Sequence, residues 1–179
     1  MGVVELVTSD ELAARINGHL LGDRDREQAG FLFARPVASH LGLELAAQEW
    51  WPILGESYVT HATASLELAD DVVPRVIGKA RELKACVVEF HSHPFPMPAC
   101  FSQMDLAGLA ELVPRLQWRL DGAPFCAIVV GPDSFDALLW GERRRVPQQL
   151  DAWRIGNNRN EPTNLSVGRW HEGSYHEAI

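Results

Sequence analysis

The segment over residues 89–105 constrains the fold of this chain more than any other. Residues 85–90 are short and β-prone, and they lead into two histidines one residue apart, His91 and His93. Side chains alternate between the two faces of a strand, so both histidines project the same way. Prolines cannot donate to a strand ladder, and three of them follow: Pro94, Pro96 and Pro98. The segment therefore predicts a strand that ends in paired imidazoles and then a loop.

A helix start follows the proline-rich loop. Ser102 lies three residues before Asp105, and the apolar-periodic segment 106–120 comes next. A serine followed three residues later by an acid is typical of a helix N-terminus, with the serine as N-cap. The helix dipole favours a negative charge in that first turn. If the loop folds back, the Asp105 carboxylate reaches the histidine pair.

Two imidazoles and one carboxylate can hold a zinc ion and leave one coordination position open, as catalytic zinc sites do. His-x-His alone is a weak pattern, and Ser-x-x-Asp alone usually marks only a helix cap. Their combination around one loop predicts a zinc site of His91, His93 and Asp105. Such a site also needs a general base. Glu27, at the start of an apolar strand, is the candidate, although the local sequence alone favours a solvated glutamate at a helix-to-strand turn.

These residues together resemble the JAMM metallopeptidase family, also called MPN+ or JAB. The resemblance rests on Glu27 with Gly30 and Leu32, then on His91-Ser92-His93-Pro94, and on Ser102-Gln103-Met104-Asp105. Only the spacing departs from the family pattern: the loop between His93 and Asp105 is one residue longer than usual. The resemblance implies a cytidine-deaminase-like, three-layer α/β sandwich in which a mixed β-sheet is flanked by helices.

The family resemblance also implies a role for each residue of the motif. His91, His93 and Asp105 would bind one Zn²⁺ per chain, and Glu27 would pass a proton from the attacking water to the leaving amine. Ser102 would donate a hydrogen bond to the oxyanion, in competition with its capping role. Most members hydrolyse isopeptide or peptide bonds after the C-terminus of ubiquitin-like proteins.

The chain resembles the stand-alone bacterial, deubiquitinase-like members, which are associated with ubiquitin-like conjugation systems, some of them antiviral, or with sulfur-carrier processing. The expected partners are therefore a ubiquitin-like protein or its conjugates, and possible conjugation-pathway enzymes. The alternative is a non-catalytic MPN-type scaffold, since some members only bind partners. A cytidine deaminase would need Pro-Cys-x-x-Cys, and Pro98-Ala99-Cys100 supplies no second cysteine.

Net charge, hydropathy and cysteine content narrow the possible partners and the cellular location of the protein. A net charge of −8 argues against nucleic-acid binding, which normally requires a basic face. The sequence has no apolar stretch long enough to span a membrane and no secretion signal at its start, which predicts a cytoplasmic protein. Three cysteines without zinc-finger spacing suit a reducing compartment; Cys86 and Cys126 are expected in the core and Cys100 in the loop.

The remaining segments predict an order of β-α-β-β-β-α-β-α-β-β, which suits a mixed sheet flanked by helices. Thr8 is expected to cap the first helix. Residues 59–68 are expected to form a strand that continues an antiparallel meander, and residues 148–154 are expected to form a short helix. A JAB/MPN domain is expected over residues 1–146 and a C-terminal extension packed on it over 147–179. The histidines outside the motif, His19 and His61 among them, are expected on the surface.

Overall fold

The computed structural model describes residues 2–40, 42–63 and 65–173. These residues form eleven strands and four α-helices. The strands are β1 Val3–Thr8, β2 Ala29–Ala38, β3 Gly42–Pro52, β4 Tyr58–His61, β5 Leu66–Leu68, β6 Cys86–Ser92, β7 Phe125–Val130, β8 Phe135–Trp140, β9 Gln148–Gln149, β10 Ala152–Ile155 and β11 Asn158–Asn160. The helices are α1 Asp10–Leu20, α2 Val72–Leu83, α3 Gln103–Arg119 and α4 Leu165–Glu172. None of the helices in the described ranges is long and apolar enough to cross a membrane.

Nine of the strands form one mixed sheet in the order β11-β10-β1-β3-β2-β6-β7-β8-β9. The pairs β1–β10, β1–β3 and β6–β7 are parallel, and the other pairs are antiparallel. The predicted mixed α/β architecture, a sheet flanked by helices, is confirmed. The central position of β6 places the end of that strand, with its two histidines, in the middle of the sheet.

Alternation along the strands divides the core into two halves. In β2, Phe31 and Phe33 pack in one half, while Leu32 and Ala34 pack in the other. Helix α1 covers the Leu32 face through Ile16, whereas α2, α3 and α4 supply their buried apolar residues to the Phe31 face. Because alternate residues of a strand point to opposite faces, helices lie on both sides of the sheet.

Three local predictions are wrong. Residues 59–68 do not continue the main sheet; β4 and β5 form a separate two-stranded sheet. Ser9 rather than Thr8 caps α1, because the Ser9 hydroxyl accepts from the Leu12 amide, while the Thr8 hydroxyl accepts from the Trp153 indole at 2.8 Å. Residues 148–154 are not helical, because β9 and the start of β10 lie there and each pairs with a strand of the sheet.

Residues 148–160 of the predicted C-terminal extension contribute three strands to the sheet, while residues 174–179 of that extension lie outside the described part of the chain. Strand β10 lies parallel to β1, with Glu5 paired to Ala152, and β11 pairs with β10. Trp153 and Trp170 are both buried, in opposite halves of the core. The prediction that the segment packs through these two tryptophans agrees with this arrangement, and the strands add backbone pairing that the sequence did not predict.

Candidate metal site

Strand alternation places the two motif histidines toward α3. Ala29 of β2 is the antiparallel partner of His91 in β6, and Phe31 is the partner of Glu89. Ala29 and Phe31 belong to the half of the core that α2 and α3 cover. Since cross-strand partners share a face, Glu89 and His91 point to that side as well. The Ser92 hydroxyl instead accepts from the Gln28 amide at 2.8 Å.

Helix α3 brings the carboxylate to the histidines. Ser102 and Asp105 form a complete capping box: the Ser102 amide donates to Asp105 Oδ2 at 2.7 Å, and the Asp105 amide donates to Ser102 Oγ at 3.1 Å. The box fixes the Asp105 side chain at the helix start, where its Oδ2 lies 3.3 Å from His93 Nε2 and 3.6 Å from His91 Nε2. The sequence prediction that the loop folds back is met.

His91, His93 and Asp105 together form a group that can hold a metal ion. One potential ligand atom from each residue lies within 4.8 Å of the other two. The Nε2 atom of His91 is buried and lacks a hydrogen-bond partner among the described residues, since 3.6 Å to Asp105 is too long for a hydrogen bond. A buried, unpartnered imidazole nitrogen aimed at a carboxylate fits a cation, and the donor set of two imidazoles and one carboxylate suits Zn²⁺.

Glu27 stands beside this group because of the β2–β6 register. Extending the pairing of Ala29 with His91 by two residues sets Glu27 opposite His93, and Glu27 Oε1 lies 3.6 Å from His93 Nε2. The Glu27 side chain is only 7% exposed. The structure thus brings the predicted base to the predicted ligands rather than leaving it on a solvated turn.

His61 holds Glu27 in place, a role that sequence reasoning missed. The Nε2 atom of His61 lies 2.8 Å from the Glu27 carbonyl oxygen, and the Glu27 amide donates to the Ala62 carbonyl at 3.1 Å. The His61 ring stacks on Tyr58, whose hydroxyl accepts from the Ala29 amide. His61 is half-buried and lies outside the ligand group, so it is neither a fully exposed surface residue nor a metal ligand. No local pattern marks His61, because its partner lies 34 residues away.

Glu89 is a second residue that sequence reasoning did not assign. Its Oε1 lies 3.1 Å from Nδ1 of His91, which leaves Nε2 of that ring facing Asp105. A carboxylate on the far nitrogen of a metal-binding histidine sets the tautomer and orientation of the ring. The period-two pattern contained the signal, because Glu89, His91 and His93 are alternate residues of one strand end.

Burial and neighbouring charges shift the pKa values of the group. Burial acts to lower the pKa of His91, but Glu89 and Asp105 outweigh it and hold this pKa well above its usual range. Burial acts to raise the pKa of Asp105, but His91, His93 and Ser102 hold it below its usual range. For Glu27, burial raises the pKa and the two histidines offset it only in part. Because a metal binds only the neutral imidazole, protonation of either histidine would compete with metal binding.

The group lies in a cleft of about 580 Å³. Strand β5 forms one side through Leu66, Glu67 and Leu68, and Arg169 of α4 also contributes. Ser102 lines the same cleft. Its capping bond uses an oxygen lone pair, so the hydroxyl proton is not consumed by the cap. The Asp105 carboxylate, whose pKa Ser102 helps to lower, is the acceptor that competes for this proton.

The cysteines of the chain take no part in the ligand group. Cys86 and Cys126 are buried as predicted, and burial raises the pKa of the Cys86 thiol to about 12. Cys100 lies in the proline-rich loop and lines the cleft, with its Sγ 3.3 Å from the Arg169 guanidinium. All three thiols are free.

No protein-family model and no curated protein sequence matches the chain. The chemistry of the site itself is therefore the basis for a functional proposal. Two imidazoles, a carboxylate and a second, buried acid beside them can bind a divalent cation and move a proton next to it. The arrangement suits metal-assisted hydrolysis at the base of an open cleft.

Proposed function

We propose that the protein is a zinc-dependent peptidase or isopeptidase that cleaves the bond after the C-terminus of a ubiquitin-like protein. One observation carries the proposal: Glu27, separate in sequence from the His91, His93 and Asp105 group, lies within 3.6 Å of His93 at that group. The resemblance of these residues to the JAMM motif supplies the reaction class and the cytidine-deaminase-like fold. The biological setting proposed with it is a cytoplasmic bacterial ubiquitin-like conjugation system.

Zinc, when bound by His91, His93 and Asp105, lowers the pKa of a water molecule to roughly 7 and polarises a carbonyl group. Glu27 is the proton carrier in this proposal. Burial raises its pKa, which brings the carboxyl group closer to the value that general acid–base catalysis at neutral pH requires. Its position beside His93 allows it to accept a proton at Oε1 and to return that proton to the leaving amine.

Ser102 supports the developing negative charge in this proposal. Its hydroxyl lines the cleft, and the capping bond uses only the oxygen lone pair, so in this proposal the proton turns from Asp105 to the oxyanion. A donor aimed at an oxyanion is worth about 3 kcal/mol of transition-state stabilisation. The Asp105 amide and carboxylate fix Ser102 through the capping box, so the oxyanion donor and one metal ligand are held as a unit.

Strand β5 suits an extended substrate tail. Leu66, Glu67 and Leu68 line the cleft, and within the described residues β5 pairs only with β4. A peptide that adds a strand to such an edge gains main-chain hydrogen bonds, while pockets for alternate side chains select its sequence. Apolar groups of Phe31, Val73 and Leu109 line the same cleft. In this proposal the C-terminal tail of the ubiquitin-like protein binds along β5 in an extended conformation.

The proposal is tested by cleavage of ubiquitin-like proteins that carry a C-terminal peptide or an isopeptide-linked lysine, with the parent and Glu27→Gln. The glutamine keeps the volume of Glu27 but cannot carry the proton, so we expect turnover to fall by about 10²–10⁴-fold. Zinc content is measured in both proteins and should be equal. Undiminished turnover would remove Glu27 from the reaction, and a zinc-loaded parent that only binds these proteins would favour the scaffold alternative.

A further inference from the structure

The backbone just before Ser102 forms hydrogen bonds with side chains from other parts of the chain. The Ala99 amide donates to Ser134 Oγ at 2.9 Å, and the Ala99 carbonyl accepts from Thr163 Oγ1 at 2.7 Å. The Phe101 amide donates to Ser166 Oγ at 2.9 Å, and the Phe101 carbonyl accepts from the Arg169 guanidinium at 3.3 Å. Three of these four partners belong to the segment 163–169, which contains most of α4.

A buried carboxylate organises that segment. Asp136 of β8 is fully buried and accepts four hydrogen bonds: from the amides of Ala137, Asn164 and Ser166, at 2.9–3.0 Å, and from the Ser166 hydroxyl at 2.6 Å. The Asn164 and Ser166 amides lie at the start of α4, where helix amides lack intrahelical partners. The Asn164 side chain makes no capping bond. Asp136, on a neighbouring strand, takes over this capping role by accepting from the two amides.

Ser166 connects this buried carboxylate to the loop of the metal site. Its hydroxyl donates its single proton to Asp136 Oδ2 and accepts from the Phe101 amide, so both hydrogen-bonding directions have a defined partner. Phe101 is buried and lies next to Ser102 in the chain. Its ring also packs edge-on against His91, with the ring centres 5.4 Å apart. A shift of Phe101 therefore disturbs the capping box on one side and a histidine on the other.

We propose that Asp136 and Ser166 are positioning residues for the metal site, and that the segment 163–169 is the part of the fold that fixes Ser102 and Asp105. The assignment of Ser102 as oxyanion donor rests on the proposed function; the positioning of Asp105 does not. Outer-shell partners of metal ligands typically change metal affinity or activity by about 10–100-fold when they are removed.

The test compares Ser166→Ala with Thr8→Val. Each variant removes one buried hydroxyl that accepts a hydrogen bond, from Phe101 in the first case and from Trp153 in the second. Trp153 belongs to the half of the core on the other side of the sheet from the metal site, so Thr8→Val reproduces the loss of a buried hydrogen bond without touching the loop. Ser166→Thr retains the hydroxyl and serves as the conservative variant.

The readout is the zinc dissociation constant of the full chain, measured by competition with a chromophoric chelator, beside the melting temperature in excess chelator. We expect zinc binding to weaken by about 10-fold or more in Ser166→Ala, to stay at the parent value in Thr8→Val, and to recover in Ser166→Thr. Both Ser166→Ala and Thr8→Val should melt below the parent.

Equal zinc affinity in Ser166→Ala and the parent would overturn the proposal, as would equal loss in Ser166→Ala and Thr8→Val. A parent that binds no zinc would overturn it as well. A parent that binds zinc, shows the Ser166 effect and cleaves no ubiquitin-like fusion would support this inference while contradicting the proposed function. With an active parent, Ser166→Ala should lower kcat more than it changes KM, since β5 and the other walls contributed by β2 and α2 lie outside the segment 163–169 and its loop.

Discussion

Glu89 Oε1 and His91 Nδ1 lie 3.1 Å apart, and this contact determines which nitrogen of His91 faces the site. With Nδ1 engaged by Glu89, Nε2 points toward Asp105, where the metal ligands converge. Both residues lie on β6, two positions apart, so the backbone of one strand fixes the ligand and its supporting carboxylate together.

Removal of this contact should weaken metal binding. We expect Glu89→Ala to reduce zinc affinity by about 10–100-fold, because His91 loses the partner that fixes its tautomer and ring orientation. Glu89→Gln, which keeps an acceptor oxygen, should lose less. The matched control is Glu67→Ala, which removes a carboxylate from the same cleft but not from His91. Competition titrations with a chelator measure the zinc affinity of all four proteins. Equal losses of affinity in Glu89→Ala and Glu67→Ala would show that Glu89 acts only through its negative charge in the cleft.

Glu27 should destabilise the protein when no metal is bound. Burial raises its pKa above the ordinary value of 4.5, so the folded state binds this proton more tightly than the unfolded state. The stabilisation from that proton is fully present below pH 4.5 and is lost as the pH rises through the folded pKa. In chelator at neutral pH, Glu27→Gln should therefore unfold at a higher urea concentration than the parent, with the gain shrinking toward acid pH.

The exposed Glu67 provides the control for this pH dependence, since Glu67→Gln changes charge equally without a buried carboxyl group. A Glu27→Gln variant that is no more stable than the parent at neutral pH would show that the carboxylate is accommodated without strain by its histidine neighbours.

Gly30 is required by the packing of Trp50. A Cβ atom at position 30 would lie 2.2 Å from Cη2 and 2.5 Å from Cζ2 of the Trp50 indole. Trp50 is buried and packs edge-on against Phe90, so it cannot move freely. We therefore expect Gly30→Ala to lower the free energy of unfolding by about 1–3 kcal/mol. Urea unfolding measures the change.

Gly78 gives a control of opposite sign. It lies inside α2, and apart from its chain neighbours and the helix's own backbone no atom lies within 4 Å of the position that a Cβ would occupy there. Gly78→Ala should therefore stabilise the protein by about 1 kcal/mol. Destabilisation of the same size in both variants would contradict a specific clash with Trp50.

The sequence predicted the parts of the site that depend on short-range spacing. Alternation along β6 pairs His91 with His93, and the Ser102–Asp105 box starts α3, so these features follow from a few neighbouring residues. The extra loop residue does not prevent the ligands from meeting, because the proline-rich loop returns Asp105 to the histidines.

The features that the sequence did not predict depend on distant contacts. Residues 148–154 are short and show no clear period, and they become strands only by pairing with β8 and β1, of which β1 lies at the other end of the chain. The hydrogen bonds that join His61 to Glu27 and Phe101 to Ser166 span 34 and 65 residues. No local sequence pattern predicts these partners, since a histidine or a serine such as His61 or Ser166 is also common on a protein surface.

The most direct test of the proposed metal site is the zinc content of the purified protein, measured by elemental analysis in the parent, His93→Ala and Asp105→Ala. We predict about one zinc per chain in the parent and its loss in both variants, because an open catalytic site has three protein ligands. A folded parent without zinc at neutral pH, or variants that keep the full zinc content, would contradict this assignment.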